Sequence, residues 1–113
     1  MRRYTELVER LRDAVLKGPG KTDPAVRQAV AARSAGLGGG PTASSGAAIP
    51  DGLRDFVDKT ALHAHQITDE EVQALRRAGW SEDQIFEIAV SAAIGGGLAR
   101  LERGLAALEG GKR

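Results

Sequence analysis

The sequence predicts an all-α bundle of about five helices that assembles into oligomers. Apolar residues recur at the helical period along most of the chain, and no stretch alternates with the period of a strand. Two matched capping-and-staple sets fall within twenty positions, one around Thr68 and one around Ser81. Near the C terminus, large aliphatic residues step by four and three, the spacing of a helix that meets another helix.

Taken in order, Tyr4, Leu7, Val8, Leu11 and Val15 define an amphipathic helix over residues 3–17, ended by Gly18-Pro19-Gly20. Asp23-Pro24 supplies an N-cap and a proline at the first helical position. A short helix from Pro24 to about Ser34 follows. Its face of Val26, Ala29 and Val30 is thin, so it needs a neighbour to be stable. Residues 36–48 read GLGGGPTASSGAA, carry no charge, and have the composition of a flexible linker. The chain divides into a helical pair over 1–35, this linker, and a helical unit over 49–113, within one domain overall.

The third helix runs from about Pro50 to Gln66, with Leu53, Phe56, Val57, Thr60, Ala61 and Ala64 on one face. Thr68-Asp69-Glu70-Glu71 is a capping box, and Ile67 and Val72 are placed as its hydrophobic staple. Gly79 is positioned to end that helix as the residue beyond its C-cap. Ser81-Glu82-Asp83-Gln84 repeats the device, with Trp80 and Ile85 as the second staple. The fifth helix then runs from Ser81 to about Glu109. From Ile85 to Leu98 it is apolar almost all round, which predicts the buried centre of the bundle. Gly95-Gly96-Gly97 sits mid-helix, where three glycines cost roughly 3 kcal/mol against alanine. Close approach of a packed helix, or a kink, must offset that cost. Ile94, Leu98, Leu101, Leu105 and Leu108 form the predicted interface seam for a second subunit.

Composition narrows the function classes. Aromatics are 4% of 113 residues and glycine numbers 15, so the core is built from Ala, Val, Leu and Ile. The net charge of +1 is too small to drive bulk attraction to nucleic acid or an anionic membrane. Residues 1–35 hold eight Lys/Arg against four Asp/Glu, and residues 36–113 hold eight against eleven, so the ends differ in sign. The absence of cysteine removes disulfides, thiol redox chemistry, iron–sulfur clusters and Cys-based zinc sites together. Arg10, Arg12 and Asp13 interrupt any signal-peptide core, and no run reaches about 18 consecutive apolar residues. The expected compartment is the cytoplasm, with neither membrane nor nucleic acid as a partner and no cofactor.

Few motifs carry chemistry. Gly20-Lys21-Thr22 imitates the end of a phosphate-binding loop, but Val15 stands where the first glycine belongs and the preceding element is a helix. Four glycines within 36–40 do not make a dinucleotide fingerprint, because Pro41 occupies the last position. Residues 68–90 have the outline of a helix-turn-helix. The second helix opens on Glu82, Asp83 and Glu87, which phosphates would repel. His63 and His65 on one continuous helix would point about 160° apart, too far to share a metal ion. His63 does fall beside Phe56 and one turn from Lys59. Those three residues are the candidate ligand site, with His63 as a general acid/base and Lys59 holding a small carboxylate.

Residues 53–90 resemble the C-terminal part of the alkylhydroperoxidase D-like, or carboxymuconolactone decarboxylase-like, family. The matching elements are the helix start Ile67-Thr68-Asp69-Glu70-Glu71-Val72 with Leu75, and the junction at Arg76, Ala78, Gly79, Ser81, Glu82 and Ile85. The third is the long apolar helix with an arginine at Arg100. The match covers about residues 50–108. The resemblance implies an all-α fold that forms dimers, trimers or hexamers through its helices. Members often reduce peroxides with a Cys-x-x-Cys pair and a following histidine, aided by a glutamate on a preceding helix. Here the corresponding region, near residues 24–48, holds small residues and glycines, so no position inherits those roles. The expectation is a Cys-less, redox-inactive relative acting as an oligomeric structural or regulatory subunit, either with itself or with a redox-competent paralogue. The alternative is a non-thiol lyase or isomerase acting on a small carboxylate or lactone through His63 and Lys59.

Overall fold

A computed structural model of the chain describes residues 2–37 and 49–110. Five α-helices and one 3₁₀ turn follow in order: α1 (Arg2–Lys17), α2 (Pro24–Leu37), α3 (Asp51–His63), the 3₁₀ turn (Ala64–Gln66), α4 (Asp69–Arg77) and α5 (Glu82–Gly110). No strand occurs among the described residues, so the all-α class is the observed one. Most of the expected linker lies outside the described residues, and its first two positions, Gly36 and Leu37, are the end of α2.

The helix boundaries follow from local chemistry where that chemistry is strong. Asp23 accepts the Ala25 N–H at 2.9 Å and starts α2. The Thr68 hydroxyl accepts the Glu71 N–H at 3.2 Å and starts α4. Ser81 and Gln84 cap reciprocally: each side chain accepts the other's N–H, at 3.1 and 2.9 Å. Between them, α4 closes in a Schellman motif. The Gly79 N–H donates to the Arg76 carbonyl and the Trp80 N–H to the Leu75 carbonyl, with Gly79 at φ 109°.

Two ends differ from the sequence expectation. The α-helical part of α3 stops at His63, whose φ of −146° leaves the helix, and the chain continues as the 3₁₀ turn. The Arg100 side chain donates to the Ala61 carbonyl at 2.7 Å and satisfies one of the carbonyls freed there. The second helix continues past Ser34 to Leu37, because its inner face is gripped by α5.

Four helices wrap one side of α5. Its 29 residues span about 43 Å, and it touches all four other helices, α2 most extensively. The core joins Val30 of α2, Leu53, Phe56 and Val57 of α3, Leu75 of α4, and Ile85, Ile88 and Ala92 of α5. Ile67, Val72 and Trp80, the staple residues, pack at its margin. The α2–α5 contact is a backbone contact. A Cβ on Gly95 would fall on the Ala31 carbonyl oxygen and lie 2.7 Å from the Ala31 Cα. At Gly96 it would find only ordinary contacts at 3.6 Å, and at Gly97 nothing within 4 Å. Close approach therefore explains one glycine of the three.

The expectation that α5 is buried all round is corrected. Ile85, Ile88, Ser91, Ala92, Gly96 and Ala99 are buried, while Phe86, Ala93 and Gly97 are exposed. The four shorter helices cover only one face. An 18-residue window of the segment Glu82–Leu108 reaches a mean hydropathy of 1.2, with 33% of it buried in the chain's own core. By length and composition alone this helix suffices to cross a membrane. A count of consecutive apolar residues misses this, because Glu87 and Arg100 break the run.

Candidate functional site

The residues singled out as a ligand site do not converge. Phe56 is buried and forms the floor of a shallow recess of about 500 Å³ between α3 and α4, which Lys59 also lines. The Lys59 ammonium sits 2.5 Å from the Glu71 carboxylate, so its charge is already engaged. Asp55 and Asp58 line the same recess, which makes it acidic and unsuited to a carboxylate ligand. Arg33 of α2 forks onto Asp58 at 2.6 and 2.8 Å. That hydrogen bond outweighs the effect of burial, and the Asp58 carboxyl is held below its ordinary value.

His63 lies outside this recess and is exposed. The chain leaves the helix at this residue, so its ring is not held against Phe56 by a continuing turn. The expected divergence of His63 and His65 is corrected for the same reason. Their rings meet edge-on with centroids 6.1 Å apart. Among the described residues no group of three His, Cys, Asp or Glu gathers to hold a metal ion.

A polar network that sequence reasoning missed lies at the other end of the bundle. Arg27 of α2 is 3% exposed and donates to the carbonyls of Val15, at 2.5 Å, and Gly18, at 2.6 Å. A cation thus closes the C-terminal end of α1, where the helix dipole favours it. The backbone N–H groups of Lys21 and Thr22 each donate to the Glu87 carboxylate of α5 at 2.8 Å. Burial pushes the Glu87 carboxyl up, but those N–H groups and the nearby Arg27 charge outweigh it and hold it below its ordinary value. The loop that imitates a phosphate site grips a carboxylate of its own chain. The only hint in sequence was that Arg27 and Glu87 are single charges on otherwise apolar stretches.

The predicted seam is uncovered at two of its five positions. Ile94, Leu98 and Leu105 are half-buried, while Leu101 is 45% and Leu108 67% exposed. On α1, Leu7 and Leu11 are 52% and 51% exposed, and Phe86 at the start of α5 is 68% exposed. These stripes belong to one face. Ala14 and Val15 share a recess with Phe86 and Val90, whereas Arg12 bonds Glu102 at 2.8 Å, so α1 runs antiparallel to α5. From that recess, three- and four-residue steps lead to Leu11 and Leu7 on one helix and to Ile94, Leu101 and Leu108 on the other. Leu7, Leu11, Phe86, Leu101 and Leu108, each about half to two-thirds exposed, leave about 500 Å² of apolar surface, near the upper end for the largest patch on an ordinary monomer.

No family model, curated protein or solved structure matches the chain.

Proposed function

We propose that this chain is a structural assembly subunit that joins other chains through the apolar face of α1 and distal α5. The observation that carries this reading is the uncovered run through Leu7, Leu11, Leu101 and Leu108. Such a face is costly in water and is the common mark of a protein–protein contact. The absence of cysteine accords with a role that needs no thiol chemistry. The lyase or isomerase alternative finds no comparable support, since Lys59 is engaged by Glu71 and His63 stands apart from the recess. Membership of the alkylhydroperoxidase D-like family, as a redox-inactive relative, is a separate proposal. It rests on residues 53–90 and the long apolar helix with Arg100; within them, local helix chemistry also explains the caps and Schellman turn of residues 67–85.

The test is light scattering after size exclusion on the wild-type chain and on Leu101→Arg. The expected result is a discrete oligomer for the wild type and an 11.8 kDa monomer of unchanged helicity for the variant. A wild-type chain that stays monomeric at every concentration overturns the reading.

A further inference from the structure

The exposed side of α5 has an internal pattern that selects its partner. Along its centre line lie Val90, Ile94, Gly97, Leu101, Gly104 and Leu108, separated by four, three, four, three and four residues. From Ile94 onward, large and absent side chains alternate. Gly97 and Gly104 are not explained by anything within the chain, because a Cβ at either would meet nothing within 4 Å. Each still costs about 1 kcal/mol in a helix interior. None of these six positions carries a charge.

Alternation of this kind fixes the direction of pairing. In a parallel, in-register pair each residue faces its own copy. Leucine would then stack on leucine and glycine on glycine, leaving a void at every glycine layer. In an antiparallel pair the two kinds of position face each other, so each glycine receives a large side chain. We propose that a second copy of this chain docks here, with the two α5 helices antiparallel and the two-fold axis midway between Gly97 and Leu101. This rests on the docking reading above and adds to it the partner, the stoichiometry and the register.

In that register Leu101 fills the space over the partner's Gly97, Ile94 fills the space over the partner's Gly104, and Val90 lies against the partner's Leu108. The pairing is isologous, so a single patch supplies both sides of the interface. It also places no charge on the centre line. On one flank of α5, Glu102 is already engaged by Arg12 of α1; on the other, Arg100 donates to the Ala61 carbonyl of its own chain, and the centre-line glycines let the backbones approach. With the half-buried Val8, Leu98 and Leu105 at the margins, the apolar face of about 500 Å² supplies more than half of the roughly 800 Å² per partner of a standard interface. A partner with a charged or bulky stripe would leave the glycine hollows empty or desolvate a charge.

The absence of native cysteine makes a clean test possible. Val90→Cys and Leu108→Cys are prepared separately, mixed, oxidised and run on a non-reducing gel. The expected result is a covalent dimer at twice the 11.8 kDa chain mass in the mixture, with little from either variant alone. In parallel, Gly97→Ala should raise the helicity of the dilute monomer yet weaken dimerisation by about tenfold or more, because its methyl group meets the partner's Leu101. Self-cross-linking of each variant alone would show parallel pairing and overturn the inference. So would a wild-type oligomer whose mixture does not cross-link, or a Gly97→Ala chain that dimerises as tightly as wild type. In those cases the docking reading itself survives. A wild-type chain that is monomeric throughout defeats both.

Discussion

Gly95→Ala and Gly96→Ala test the backbone contact between α2 and α5 with two neighbouring substitutions of the same chemistry. Both exchange glycine for alanine in a helix interior, so both gain about 1 kcal/mol of helix propensity. They differ in what the new methyl meets. At Gly95 it would fall on the Ala31 carbonyl oxygen and lie 2.7 Å from the Ala31 Cα. Those are backbone atoms, and relief requires moving α2 away from α5. Overpacking of this kind costs typically about 1–3 kcal/mol, and opening the contact also loosens Val30, which is fully buried. At Gly96 the nearest atoms, one at the tip of the Arg100 side chain, lie at an ordinary 3.6 Å. Gly96→Ala should therefore gain up to about 1 kcal/mol, while Gly95→Ala should lose up to about 2 kcal/mol net. At about 4–6 °C per kcal/mol for a domain of this size, the two melting temperatures should differ by roughly 10 °C. Thermal unfolding followed by far-ultraviolet circular dichroism at one protein concentration reads the difference directly. Equal melting temperatures, or a more stable Gly95→Ala, would refute a close α2–α5 backbone contact.

Three further outcomes are expected. Arg27→Met leaves the Val15 and Gly18 carbonyls without their donor; it should cost about 2–3 kcal/mol and increase hydrogen exchange in α1 before α3 or α4. The Glu87 carboxyl has a lowered folded-state pKa, so its contribution is present above its unfolded value and is lost as pH falls through the folded one. Urea midpoints of wild type and Glu87→Gln should accordingly differ at pH 7 and converge in acid, and a constant gap across that range would contradict the assignment. Gly79→Ala forces a side chain into φ 109°, and a loss of about 1 kcal/mol in urea unfolding is expected, against no loss if the turn can relax.

What could be read in the sequence was what neighbouring residues decide among themselves. Thr68, Gly79 and Ser81 act within four residues of their own position, and the limits of α4 and α5 fall where they indicate. The end of α3 did not show, because the arginine that completes it lies 39 positions away. The extent of α2 was hidden for a similar reason: Gly36 and the charge-free run after it suggest a break locally, while the long contact of α2 with α5 accompanies a helix that runs on to Leu37. The candidate ligand site failed on the same ground. Its logic required α3 to continue through His63, and Glu71, which takes up Lys59, comes from another helix. The seam on α5 was visible from spacing alone, but its relation to the stripe on α1 depends on their antiparallel packing.

The grip of the Lys21 and Thr22 backbone on Glu87 has a consequence for small anions. A carboxylate built into the same molecule competes at an effective concentration set by the tether, on the order of millimolar or more for a flexible link and higher for one fixed on a helix. A phosphate or nucleotide arriving from solution would have to displace a ligand that never diffuses away. The loop is thus saturated from within, and phosphate at millimolar levels should leave the chain's melting temperature unchanged.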